Sequence, residues 1–332
     1  MDRAGGRAAL MPLAGLIVAA VLAPALAPER PTDQFADRSY APPMRVHVHD
    51  AAGWRAPFVY PQVLDDRLMR RYHEDLSRPM TLTWLTNGRV VSIPADGGPL
   101  LMLGADSLGR DVLSRVLTGT GRSVGVAVFG ALGALLIGAV VGGLAGGLGG
   151  RLDRWLMLVA DFVLVLPGAY VVLALRGALP LVLAPGVVFG LLAALFAFSA
   201  WPHVARGVRA IVAAERGRDY AEAARASGAG LVRLLRGLLP AASGFLVVEL
   251  LLLVPALLVA EATVSYLGLG FSEPAASWGT MLQDAANVSV LADAPWLLAP
   301  AAAIFLVVLV LHASSGARAE PAWLTGGSAV IR

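Results

Sequence analysis

From Ser123 to Gly150 the sequence runs without one charged side chain. A bilayer core takes about 20 apolar residues per helix, so this stretch alone directs the chain toward a membrane-spanning fold. Within it Gly138, Gly142, Gly146 and Gly150 recur every four residues, with Gly143 and Gly147 beside them. Small residues at that spacing line one helix face and let a second backbone approach closely in lipid. The expectation is a helix–helix seam inside a bundle.

Further apolar runs extend the pattern to six spans: 8–28, 123–150, 155–175, about 184–202, about 238–260 and 296–312. The 332-residue chain is 57% hydrophobic and 15% charged, where soluble domains carry roughly 25% charged residues. An all-α integral membrane fold follows. The first run, behind Arg3 and Arg7, also has the basic start, apolar core and small-residue site of a signal peptide. We read it as a span because it is long enough and more spans follow.

The intervening segments differ in kind. Residues 29–104 are polar, mix both charge signs and contain Pro, Trp and Tyr. They read as a small mixed insertion after the first helix, with TLTWLTNGRVVSI (81–93) as a hairpin turning at Asn87-Gly88. His47 and His49 lie two apart in VHVHD, on one face of a strand. With Asp50 they have metal-binding chemistry, but we read them as exposed and unliganded and assign no metal. Residues 107–120 read as an amphipathic helix entering the membrane. Arginine marks the cytoplasmic side. It collects in 151–154 and 203–237, placing these, both termini and the 313–332 tail in the cytoplasm. Residues 29–104 and 261–295 then lie outside.

The 26 basic residues are all arginine. A phosphate-binding P-loop needs a lysine to reach the β- and γ-phosphates, so this chain cannot build one. Schiff-base catalysis is excluded on the same ground. There is no cysteine, which removes disulfides, thiolate metal sites and thiol nucleophiles. No enzymatic constellation stands out and no nucleic-acid partner is expected.

Residues 218–230, RDYAEAARASGAG, interrupt the apolar pattern. They have high helix propensity up to Gly228, with alanine on one face and ionisable groups around it. Such a helix can dock in a partner's groove, or it can be a basic loop at a lipid surface. E222-A223-A224-x3-G228, followed by Leu239-Pro240, resembles the cytoplasmic EAA loop of binding-protein-dependent ABC transporter permeases. GADSLGRDVLSR (104–115), AEATVSYLGLG (260–270), SWGTML (277–282) and APWLLAPAAAIFL (294–306) are similar to signatures of its dipeptide/oligopeptide branch, C-type subunit. The likeness covers roughly 100–312. It departs at Ala105, where the family has threonine, and at Gly228 to Pro240, one residue shorter than usual. One residue turns a helix by about 100°, so a bend must absorb it.

The resemblance implies a six-helix importer permease: a first helix at 1–28, an extracytoplasmic insertion at 29–104, and a core at 105–312 with its coupling loop at 203–240. It implies a second homologous permease, two ABC ATPases that bind ATP and Mg, an extracytoplasmic solute-binding protein, surrounding lipid and a peptide-like substrate. This subunit would be non-catalytic, without a cofactor of its own, in a bacterial cytoplasmic membrane. Asp219, Glu222, Ala223, Ala224 and Gly228 would couple to an ATPase. Glu249, mid-span, is a candidate pathway residue or a structural one. Asp161 and Glu261 are read as structural. Nickel chelates, glutathione or another small solute are alternative cargoes. A secondary transporter or membrane scaffold with a lipid-binding basic loop is the alternative of a different class.

Overall fold

A computed structural model describes residues 3–50, 53–67, 69–86, 89–94, 98–166, 168, 171, 174 and 183–316. Among them the helices are α1 (Arg3–Leu26), α2 (Val112–Leu148), α3 (Gly150–Val165), α4 (Pro185–Arg216), α5 (Asp219–Ala226), α6 (Leu231–Leu238), α7 (Ser243–Tyr266), α8 (Trp278–Leu282), α9 (Val288–Asp293) and α10 (Ala299–Gly316). Seven short strands fall between α1 and α2: β1 (His47–Asp50), β2 (Gly53–Val59), β3 (Gln62–Asp66), β4 (Arg71–Glu74), β5 (Met80–Thr81), β6 (Thr83–Thr86) and β7 (Arg89–Ser92).

Among the described residues, four stretches are helical, long and apolar enough to cross a membrane: Val112–Leu148, Pro185–Arg216, Val232–Tyr266 and Pro295–Ser314. Leu10–Leu26 is a shorter apolar helix. The third expected span is described as the 16-residue α3; Pro167 and most of the run after it lie outside the described residues.

The chain divides into two compact units, one of residues 1–16, 126–260 and 306–332, the other of 17–125 and 261–305. In the first, α2 carries two rails of glycine. A Cβ on Gly138 would run into Val204 and Ala205 of α4, one on Gly142 into Ala205 and Val208, and one on Gly146 would lie 2.7 Å from the Arg209 carbonyl. On the adjacent face, a Cβ on Gly147 would lie 2.7 Å from Leu235 and one on Gly143 3.1 Å from Leu239. Gly150 does not join either rail. With Gly149 it adopts positive φ, at 64° and 67°, and turns the chain from α2 into α3, with open space around it. The four-residue period outlasts the helix by one step.

Helix α4 is longer than its apolar run. The span expected to end near 202 continues as one helix through Pro202 to Arg216. Pro185 at its first turn suits a position whose N–H has no helical partner. Arg206 and Arg209, expected in a loop, lie on this helix and pair with Asp161 and Asp153 of α3; the Arg209–Asp153 contact is 2.6 Å.

The second unit holds three small antiparallel sheets, ordered β1-β2-β5, β3-β4 and β6-β7. The β6-β7 pairing, Thr83 to Ser92 and Thr86 to Arg89, makes the expected hairpin; Asn87 and Gly88 lie outside the described residues. Among the described residues of 29–104 there are strands and no helix. Ala41, Met44, Val59, Met80, Leu82, Leu100, Leu101 and Ala105 form their core. His47 stacks near Phe58 and Tyr60, His49 against Trp54, and Asp50 pairs with Arg55 at 2.7 Å. Among the described residues no three His, Asp or Glu side chains gather as a metal site.

The amphipathic helix expected over 107–120 begins later. Residues 105–111 form a turn closed by an Ala105–Asp111 bridge. Helix α2 starts only at Val112 because the Asp111 carboxylate accepts the Ser114 N–H at 2.8 Å and its hydroxyl at 2.5 Å, an N-terminal cap.

Candidate functional site

Helix α5 is eight residues long, too short to persist in water by itself. Its position comes from packing. Ala221 is buried among Val204, Val208 and Val212 of α4, Leu234 and Leu238 of α6, and Ala242. Helix α6 presents Leu234 and Leu238 to that cluster, Leu235 to Gly147 of α2, and Arg233 and Arg236 to solvent, as the i, i+1, i+4 spacing of one amphipathic face requires. It runs directly into a 3₁₀ turn over Leu239–Ala242. A 3₁₀ turn winds more tightly than an α-helix, so the chain changes pitch just before α7 begins at Ser243.

The opposite face of α5 is open. Asp219, Tyr220, Glu222, Ala223, Arg225 and Ala226 are exposed, while Ala224 is half-buried. Asp219 and Glu222 lie in the first turn and Arg225 in the last, the charge order that a helix dipole favours. Glu222 and Arg225 approach to 3.8 Å, and the Tyr220 hydroxyl donates to Glu215 at 2.8 Å. Gly228 ends the helix with φ 75°. Its N–H donates to the Arg225 carbonyl and the Ala229 N–H to Ala224, both at 3.0 Å, a left-handed helix stop. Nothing surrounds a Cβ built on Gly228, so the glycine serves the backbone and not a tight fit. Ala221, the residue that holds the helix down, was not singled out from sequence. Its alanine looks like its neighbours until the helix phase is known.

Glu249, in the first third of α7, is half-buried and has no ion pair or hydrogen bond among the described residues. Glu261, further along α7, is fully buried and accepts the Ser265 hydroxyl at 2.7 Å.

The stretch 104–115 builds a second constellation. Gly104 and Gly109 take positive φ, at 71° and 75°. A Cβ on Gly104 would lie 2.8 Å from the Ala41 carbonyl and Trp296, and one on Gly109 would collide with the Phe35 carbonyl. The turn they permit aims Asp106 at two arginines. Asp106 accepts the Leu108 and Arg110 backbone N–H groups at 2.9 and 3.0 Å and Arg110 Nε at 2.7 Å. Arg115 Nε lies 3.4 Å from the same carboxylate. Glu273, distant in sequence, meets both guanidinium groups: Arg110 at 2.5 and 3.2 Å, Arg115 at 2.7 Å. Burial works against the Glu273 charge, but the Arg110 hydrogen bond and the two cationic charges outweigh it and hold its pKa below the ordinary glutamate range. Nearby, burial pushes the Asp111 carboxyl up to about 7 despite its bonds from Ser114. Burial also raises Asp284, which accepts the Ser107 hydroxyl at 3.0 Å. Arg122 donates to the Ala276 carbonyl at 2.7 Å, and Trp278 N–H to Ser123 Oγ at 3.0 Å. The loop before α8 is thereby fastened to the first turns of α2.

The description "binding-protein-dependent transport system inner membrane component" matches residues 134–319, more than half of the chain. The chain belongs to this family. It is 36% identical over 196 residues to the oligopeptide transport system permease protein OppC of Bacillus subtilis, covering 59% of this chain and 62% of that one. It is 36% identical over 182 residues to the dipeptide permease protein DppC of the same organism, covering 54% and 55%. It is 34% identical over 211 residues to the glutathione transport system permease protein GsiD of Pectobacterium atrosepticum, covering 63% and 68%. The match spans less than two thirds of the length of the two Bacillus relatives. In this multi-pass inner-membrane component, the family region includes most of the glycine rails, all of α5 and α6, and Glu273; it begins beyond the 104–115 turn.

Proposed function

We propose that this transport component is a permease subunit of an ATP-driven importer of di- or oligopeptides, forming half of a translocation pathway. The observation that carries the reading is α5: a short helix anchored through Ala221 and the leucines of α6, with Glu222 and Ala223 turned outward and Gly228 setting its end. A helix so held transmits a push on its outer face into α4 and, through Leu235 and Leu239, into the Gly143–Gly147 rail of α2. Two ABC ATPases that bind ATP and Mg would supply the push, since a lysine-free chain builds no P-loop of its own. The helix responds only if the ATPase contacts it differently in its two states.

The remaining partners are a second homologous permease, an extracytoplasmic solute-binding protein and the surrounding lipid. Six spans, both termini in the cytoplasm, and an outer location for 29–104 and 261–295 complete the arrangement. The names of the relatives support a peptide cargo; glutathione, itself a tripeptide, falls in the same chemical class. Glu249 is the candidate to face the pathway and meet a peptide's amino group. If so, Glu249→Gln lowers uptake of substrates with a free amino terminus more than of neutral ones, and equal uptake of both removes it from the pathway.

Affinity purification of the tagged chain, co-expressed with the gene products encoded beside it, tests the assignment. The expected result is recovery of an ATPase and a second permease, with substrate-stimulated ATP hydrolysis. Recovery of the chain alone, in a folded state, contradicts it.

A further inference from the structure

The four-charge cluster has one member unlike the others. The side chains of Arg110, Arg115 and Asp106 are 3%, 1% and 4% exposed, whereas that of Glu273 is 42% exposed. Asp106 is locked by two backbone N–H groups as well as by Arg110. Among the described residues, Glu273 is held by the guanidinium groups alone, through bonds of 2.5 to 3.5 Å from Arg110 and Arg115. Two guanidinium forks on one carboxylate make a planar, bidentate recognition geometry that any carboxylate satisfies. With Glu273 withdrawn, the two buried cations keep one anion in contact, Asp106, while Asp284 acts on them from beyond ion-pair distance. An uncompensated buried charge is strongly unfavourable, so the vacated seat demands another anion. At 42% exposure, the Glu273 side chain is the member of the cluster that solvent reaches.

We infer that Arg110 and Arg115 form a carboxylate-receiving seat, filled here by Glu273 and opened to the terminal carboxylate of an incoming peptide when Glu273 swings out. The ligand class rests on the permease reading above. A tethered competitor acts at an effective concentration on the order of mM, so Glu273 excludes dilute peptide. A peptide released at high local concentration from a docked binding protein displaces it. Arg110 and Arg115 then discriminate peptides with a free C-terminal carboxylate from amidated ones.

The test uses the full-length chain in nanodiscs, with alanyl-alanine and alanyl-alanine amide as probes, against wild type and Glu273→Ala. Binding is followed by saturation-transfer NMR and by thermal stabilisation. The expected result is at least tenfold tighter binding of alanyl-alanine to Glu273→Ala than to wild type, and no binding of the amide to either. Equal affinity of the two proteins for alanyl-alanine, or equal affinity for acid and amide, overturns the seat. If Glu273→Ala does not fold, Glu273→Gln with acetate and acetamide as the probes gives the same comparison, with the same two outcomes. The readout needs no ATPase, so loss of the seat leaves the copurification result standing, and loss of copurification leaves the seat measurable.

Discussion

At residue scale, two glycines with the same backbone conformation have different costs of replacement. Gly109 and Gly228 share φ 75°, a conformation that charges an L-residue roughly 1–2 kcal/mol. Around Gly228 there is open space, while the Phe35 carbonyl occupies the position of a Gly109 side chain. Gly228→Ala should therefore cost about 1 kcal/mol, and Gly109→Ala at least twice that, measured as unfolding in mixed micelles. Equal losses would show that the contact with Phe35 carries nothing. Asp111 gives a pH signature. Its folded pKa of about 7 lies above the 3.8 of an ordinary aspartate, so the folded state holds the proton more tightly between those values. Stability must then fall as pH rises from about 4 to about 7 and level off above. Asp111→Asn should remove that slope, read by hydrogen exchange of residues 100–116; a slope unchanged in the variant would assign it to another group.

At the scale of elements, glycine rails let α2 approach α4 and α6 closely. Gly142→Ile should wedge α2 from α4 and prevent accumulation of folded protein. Gly190→Ile, on α4 with nothing within 4 Å, should be tolerated in the same expression and thermal-melt assay. Comparable behaviour of the two would mean that the seam is not close-packed. The seam was readable from sequence because a four-residue period projects onto one helix face. Its end was not: Gly150 keeps the period but sits past a turn that only two positive-φ residues define. The end of α4 was misplaced for a related reason. Arrival of charge after Trp201 marks a change of solvent, not of backbone hydrogen bonding, so the helix runs on to Arg216. The start of α2 was misplaced in the other direction, since the cap made by Asp111 competes with helix at 107–111.

The same limit applies to the sites. The α5 stretch was legible because its local composition breaks with its surroundings and its motif is contiguous. Its inward residue, Ala221, needed helix phase. The arginine motif was legible as a string, but Glu273 lies 163 residues from Arg110. No local pattern couples them, and tertiary closure alone puts the carboxylate between the guanidinium groups.

For the whole molecule, α5 is the proposed place where an ATPase meets this chain. Ala223 is exposed, small and outside the anchoring cluster, so Ala223→Trp fills the proposed contact without disturbing the fold. The decisive measurement is substrate-stimulated ATP hydrolysis by the purified complex carrying that substitution, alongside recovery of each partner. The expected result is unchanged folding and unchanged recovery of the second permease, with ATPase recovery or stimulated hydrolysis reduced at least tenfold. Full ATPase recovery with wild-type stimulation would contradict the account.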